Sequence, residues 1–387
     1  MNKGLQYYLN RFSPLSVTIA REMRGLTKKE LAERIGKTPS AITKIEKGTI
    51  NPDLETFFSL SRSLDVAPSF FAESMIHSKS IDMGHCHFRC SRSVPINLRS
   101  KAIRKGQIIA NLLFILQEYG ISYPINTIED RVGYAATTYE IEEAALKLRV
   151  QFGLGTDPIT NFTYTLEKNG VFVIYIEDAD FQKVDAFSSW IDGVPFIFLC
   201  ANKPMSRLRF DMAHELGHLI LHDDVAEHSV KEEREANRFA SAFLLPWMAF
   251  KEECPSRWSL NGFTHLKKRW KVSISALLYR AKELKILSES TYKRSMITLN
   301  TERIRNNEPG EPDREKPVIF SEAITLLTDV INSEELIEKC GIMRDELCDI
   351  LLSQHVPKQL VSSMFEQTKK NASILSLFPG QTAKGGA

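Results

Sequence analysis

No run of about eighteen apolar residues occurs anywhere in the 387-residue sequence, and its beginning, MNKGLQYYLNRFSPLS, lacks the unbroken apolar core of a signal peptide. The expected location is therefore the cytoplasm, with no membrane contact. Cysteine is sparse: Cys86, Cys90, Cys200, Cys254, Cys340 and Cys348 are too scattered for the dense framework of a secreted scaffold, so thiols are expected. An excess of one charge is lacking as well. Fifty Lys and Arg against 48 Asp and Glu leave a net +2, which names no partner and directs attention to local clusters. A content of 43% hydrophobic and 25% charged residues excludes a disordered or fibrous chain. The length allows two or three domains, each with a core of its own.

Residues 15 to 73 read as consecutive short helices, each ending at Gly, Asn-Pro or a polar turn. Thr27 and Glu30 have capping-box spacing. Gly36 ends that helix, and Thr38 caps the next, with Pro39 in the first helical position. Leu31, Ala32, Ile35, Ala41, Ile42 and Ile45 fall at helical spacing and can pack the pair together, leaving Ser40, Thr43, Lys44 and Lys47 on the outer face. Such side chains on a helix entering a major groove reach base edges, while Lys28 and Lys37 meet phosphates. Between Arg21 and Lys47 eight basic residues face four acidic ones, the sign that DNA requires.

GHCHFRC, residues 84 to 90, invites a zinc-knuckle reading. With no second Cys/His pair nearby to close a tetrahedral site, an extended segment is the better expectation. The surrounding stretch is basic, with Arg89, Arg92, Arg99, Lys101, Arg104 and Lys105 and no acid between Asp82 and Glu118. Helical spacing returns from Arg99 to Tyr119 and from Ile141 to Phe152.

After residue 160 short β-rich runs appear, VFVIYIE and AFSSWIDGVPFIFLC, the second broken by the hairpin turn Asp192-Gly193. Then comes RFDMAHELGHLILHDD, in which Leu208, Met212, Leu216, Leu219 and Ile220 set a helical period from about Met205 to His222. His214 and His218, four apart, project from one face and suit one Zn2+. Glu215, turned about 100° around the axis, can face an attacking water as general base without ligating the metal. His222 lies two turns beyond His214, about 12 Å along a continuous helix, too far to share the ion. A third ligand must come from the next helix, KEEREANRFASAFLLP. There Glu235, at the edge of the apolar stripe Ala236, Phe239, Ala240 and Phe243, fits best; Glu232 is next, and Asn237 is a candidate for orienting a ligand rather than binding the metal.

Two resemblances add to this. LTKKELAERIGKTPSAITKIEKG is similar to the Cro/C1 (XRE) helix-turn-helix family, which implies binding of palindromic operator DNA as a homodimer. RLRFDMAHELGHLILH with EREANRFASAFLLP, FSSWIDGVPFIFLCANKP and LKKRWKVSISALLYRAKELKILSESTYKR resemble the ImmA/IrrE family of zinc metallopeptidases over about residues 100 to 305. That likeness implies His214, His218 and Glu235 as zinc ligands, Glu215 as base, and a repressor or antitoxin as the protein cut, in a stress, mobile-element, toxin-antitoxin or phage-defence circuit. A metal that merely braces the fold is the alternative.

The expected organisation is multidomain: an all-α helix-turn-helix domain over 1–76, a basic linker over 77–100, an α+β zincin-like metallopeptidase domain with a helical subdomain over 101–305, a polar Pro/Gly linker over 306–317, and a small helical C-terminal region over 318–387. Three short helices are expected in that last region, with Ser321 and Ser333 as caps, ahead of a disordered GQTAKGGA tail.

Overall fold

The computed structural model describes residues 8–72, 87–90, 95–124, 128, 137–177, 184–200, 202–222, 229–301, 303–327 and 330–366. Gly84 to Cys86, Arg92 and the C-terminal tail lie outside these residues, so the zinc-knuckle and tail expectations are not addressed. The chain forms two compact units. One consists of residues 1–78, 107–122 and 318–387, the other of residues 79–106 and 123–317.

The first unit is helical. Its front carries α1 (Pro14–Met23), α2 (Lys28–Arg34), α3 (Pro39–Glu46) and α4 (Leu54–Leu64). The start of α2 is fixed by the reciprocal Thr27/Glu30 box, in which the Thr27 amide donates to Glu30 Oε2 at 2.7 Å and the Glu30 amide to Thr27 Oγ1 at 3.2 Å. Thr38 accepts from the Ala41 amide at 3.2 Å and starts α3, with Pro39 in its first turn. Leu31, Ala32, Ile42 and Ile45 are buried between the two helices, whereas Ile35 and Ala41 remain half-buried.

The C-terminal helices α14 (Ile319–Leu327), α15 (Ser333–Cys340) and α16 (Arg344–Ser353) belong to this same unit. They dock on the front by specific contacts. Arg24 donates to both carboxylate oxygens of Glu346 at 2.7 Å, the bidentate form that resists reorientation. Val66 and Ile342 form an antiparallel bridge, and the Ala67 amide donates to the Gly341 carbonyl at 2.8 Å. Gly341 ends α15 at φ 66°, and a Cβ there would lie 2.6 Å from the Phe70 backbone; only glycine allows both the turn and this approach. The expected cap residues are displaced: Asn332 caps α15 by accepting from the Glu334 amide at 3.0 Å, so Ser333 is already helical, and Ser321 lies inside α14. An Asn one residue upstream competes for the cap position with equal chemistry.

The second unit is α+β. Its sheet runs β1 (His87–Cys90), β3 (Val184–Ile191), β4 (Val194–Cys200), β2 (Phe172–Ile176) in spatial order. Asp192 and Gly193, both at positive φ, make the expected hairpin between β3 and β4, while β2 joins β4 in parallel. β1, within the expected basic linker, pairs antiparallel with β3, with His87 opposite Ser188. Helices α5 (Ile96–Glu118, whose second half belongs to the first unit), α6 (Thr138–Gln151) and α7 (Phe162–Lys168) precede or flank the sheet in sequence. α8 (Met205–Leu221) and α9 (Val230–Leu244) carry the central motif, and α10 (Trp247–Glu253), α11 (Leu260–Trp270), α12 (Ile274–Glu283) and α13 (Glu289–Thr301) complete the unit.

Residues 306–317, expected as a polar Pro/Gly linker, place three of their carboxylates on helix starts of this unit. Glu308 accepts from the Ile274 amide at 2.7 Å and from Lys267 at 3.0 Å; Glu311 accepts from the Ser206 amide at 2.7 Å and Lys267 at 2.7 Å; Glu315 accepts from the Phe162 and Thr163 amides at 2.8 Å each and pairs with Arg209. The segment thus sets one carboxylate at the N-terminus of α12, α8 and α7 in turn, where unsatisfied amides and the positive end of the helix dipole favour negative charge. Among these, α8 has no side-chain cap from its own N-cap residue, Pro204.

Candidate metal centre and nucleic-acid face

Metal-binding potential concentrates where α8 and α9 pack. Gly217 permits their approach: a Cβ on it would lie 3.1 Å from Phe239 and 3.3 Å from the Ala236 backbone. The adjoining side chains, Ala236, Phe239, Ala240 and Phe243, are buried. His214 and His218 turn their Nε2 atoms toward each other at 3.0 Å. Glu233 brings Oε2 to 3.5 Å from His214 Nε2 and Oε1 to 3.4 Å from His218 Nε2. These three residues are the one group among the described residues whose donor atoms all lie within 4.8 Å of one another. Two bonds of about 2.0–2.1 Å at a tetrahedral angle separate their nitrogens by roughly 3.3 Å, so the spacing suits one small cation. Two imidazoles and a carboxylate are also the donor set of a zinc site that keeps a fourth position open.

Glu235, expected as the third ligand, stands elsewhere. Its Oε2 lies 3.0 Å from His222 Nε2, and His222 Nδ1 lies 3.0 Å from His218 Nδ1. The physical reason is rotation: residues two apart on a helix point about 200° apart, so Glu233 and Glu235 flank the buried stripe on opposite edges. The Glu233 edge meets His214 and His218; the Glu235 edge meets the end of α8, where His222 is the C-cap residue. A cation on His218 Nε2 would leave its Nδ1–H to donate to His222 Nδ1, and His222 Nε2–H to donate to Glu235. Glu232, the second choice, is the capping-box partner of Ser229 at the start of α9.

On the other side Asn237 Oδ1 accepts from His214 Nδ1 at 3.2 Å, and Asn237 Nδ2 donates to the Glu233 carbonyl at 2.7 Å. The ring of His214 is thus held as that of a metal ligand usually is. Glu215 is fully buried, and Ser188 Oγ of β3 donates to its Oε2 at 2.7 Å. Nothing in the sequence separated Ser188 from its neighbour Ser189; strand alternation puts only one of them on the α8 face.

Comparison with known proteins agrees with this division of the chain. Residues 166–282 match the M78 peptidase family described as IrrE N-terminal-like domain, and residues 19–71 match a helix-turn-helix family. The chain joins a helix-turn-helix to an IrrE-like peptidase-family domain. No curated protein matches it. Among solved structures, Bacillus thuringiensis PlcR in complex with the peptide PapR7 and DNA is similar at 14% identity, covering 95% of this chain and 99% of its own, at a TM-score of 0.15. A score that low carries no argument here. No helix among the described residues is long and apolar enough to cross a membrane.

Within the helix-turn-helix, Lys37, Ser40, Lys44 and Lys47 are exposed, and Thr43 is half-buried with its hydroxyl donating to the Pro39 carbonyl at 2.9 Å. Lys28, expected at a phosphate, is half-buried. Its ammonium lies 3.1 Å from Glu46, which also takes Arg21 at 2.6 Å. Arg24 is engaged by Glu346. Part of the basic surplus therefore ties the helices together, while Lys29 and Arg34 of α2, Lys37 in the turn, and Lys44 and Lys47 remain exposed.

Proposed function

We propose that the chain is a DNA-binding regulator whose second unit is a zinc-dependent endopeptidase acting on a partner repressor or antitoxin. The observation that carries this reading is the juxtaposition of His214, His218 and Glu233 with a buried Glu215 that Ser188 holds in place. Zinc held by the three side chains supplies Lewis acidity toward a peptide carbonyl and an attacking water. Glu215 takes the proton of that water and delivers it to the leaving amine, while Asn237 and His222 hold the two imidazoles in register. No covalent intermediate on the protein is needed.

Full burial of His214, Glu215 and His218 favours one competing reading, a zinc that only braces the fold. Glu215→Gln separates the two. It is expected to retain zinc and lower peptide cleavage by about 10²–10⁴-fold, measured on repressor or antitoxin candidates taken from whatever the neighbouring genes encode. Wild-type cleavage, or wild-type behaviour in cells, by the Gln variant would leave the bracing role.

The DNA-binding half of the proposal places the protein in the cytoplasm, as a homodimer on a palindromic operator. Lys44, exposed on α3, is expected to reach a base edge and, as a cation at the DNA surface, to displace about one counterion. Lys44→Ala should then weaken operator binding in a gel shift and reduce the slope of log affinity against log salt by about 1. An unchanged slope would remove α3 from the interface.

A further inference from the structure

A cavity of about 520 Å³ opens in the second unit beside the metal-binding group. Its wall includes Asn237, which holds His214, and Asp211, one turn before His214 on α8. Arg234, the residue after Glu233, is also in the wall. The charge is one-sided: Lys203, Arg207, Arg234 and Arg305 stand against Asp211 alone. Asp211 is already taken by Lys203 at 2.7 Å. Arg234 and Arg305 are exposed, and among the described residues neither pairs with a carboxylate. Tyr279 and Tyr292 add aromatic wall, with the Lys282 ammonium 4.7 and 4.9 Å from their ring centroids.

We propose that this cavity receives an acidic side chain, Glu or Asp, of an extended peptide whose scissile bond lies at His214, His218 and Glu233. The inference rests on the peptidase reading above and narrows it to substrates carrying an acid close to the cut. A guanidinium fork matches a carboxylate by two parallel hydrogen bonds, and a concave site strengthens that pairing over what open water allows. An amide in the same place keeps no charge, and a lysine is repelled by the lining. The volume is ample for one side chain and the backbone on either side of it.

The test uses the zinc-loaded full chain carrying Glu215→Gln, titrated by fluorescence anisotropy against four fluorescein-labelled decapeptide pools. The pools differ at one fixed central residue, Glu, Gln, Leu or Lys. The Glu pool is expected to bind at least about fivefold more tightly than the Gln pool. Arg234→Glu with Arg305→Glu, both at exposed positions, should abolish that preference and favour the Lys pool; Arg234→Gln with Arg305→Gln should abolish it without reversal. Equal binding of the Glu and Gln pools overturns the proposal, as does a preference that survives both double substitutions. Inorganic phosphate that binds through Arg234 while the pools show no preference overturns it too, by assigning the cavity to a free anion. Cleavage of the pools by the wild-type chain is read separately. A Glu preference without cleavage supports the acid-binding cavity and counts against the peptidase reading; cleavage without a Glu preference does the reverse.

Discussion

Replacing Glu233 by alanine is expected to weaken zinc binding by the full chain by more than about 100-fold, whereas Glu235→Ala should weaken it by about 10–100-fold. The difference follows from position. Glu233 is the carboxylate that faces both Nε2 atoms, at 3.5 and 3.4 Å. Without it two imidazoles remain, and a two-donor site holds zinc poorly against water. Glu235 reaches the centre through His222, whose Nδ1 meets His218 Nδ1 at 3.0 Å. Its loss lets His222 and then His218 reorient but removes no donor. A competition titration with a chromophoric zinc chelator measures both variants. The reverse order, with Glu235→Ala the more damaging, would restore Glu235 as the ligand and displace Glu233.

That Glu233 rather than Glu235 stands beside the two Nε2 atoms marks where the sequence stops being informative. HELGH places two imidazoles on one face by spacing alone, because a helix turns about 100° per residue whatever surrounds it. Choosing a partner on α9 requires knowing which edge of its apolar stripe meets α8, and both edges carry a glutamate. Gly217 holds part of the answer: it marks where the helices touch most closely, against Ala236 and Phe239. The period of the pattern does not say how the two helices are rotated about that point. His222 stands at the C-cap of α8, and an argument from distance along a continuous helix says nothing of contacts at the helix end.

Local signals fared better than tertiary ones. The Thr27/Glu30 box, the Thr38 cap and the Asp192-Gly193 turn act within four residues, so the sequence contains both partners of each interaction. The docking of the C-terminal helices on the front of the chain does not have this property. Arg24 and Glu346 are 322 residues apart, and nothing in either neighbourhood announces the other. The same holds for Glu46, whose burial between Arg21 and Lys28 removes charge that a count along the sequence had assigned to DNA.

The most consequential tertiary feature is the one composition hid, and it leads to the second large effect. Glu315→Ala is expected to destabilise the chain by about 3–5 kcal/mol. Arg209, wholly buried on α8, pairs with Glu315, and its remaining polar contact is with the Ile159 carbonyl at 2.6 Å. Burial already lowers the Arg209 pKa, opposed by the charge of Glu315; removing the carboxylate leaves a buried cation uncompensated. The amides of Phe162 and Thr163 lose their acceptor in the same step. Glu315→Gln, which keeps an acceptor but not the charge, should fall between the alanine variant and wild type. Glu311→Ala should cost only about 1 kcal/mol, because Glu311 is a third exposed and Lys267 keeps Glu308 at 3.0 Å. Urea titrations of the full chain, followed by circular dichroism, give the order. A Glu315→Ala midpoint equal to wild type would make residues 306–317 the solvated linker that their composition suggests. The predicted order would instead make the segment a strap that ties the start of α7 to Arg209 of α8, the helix on which His214, Glu215 and His218 stand.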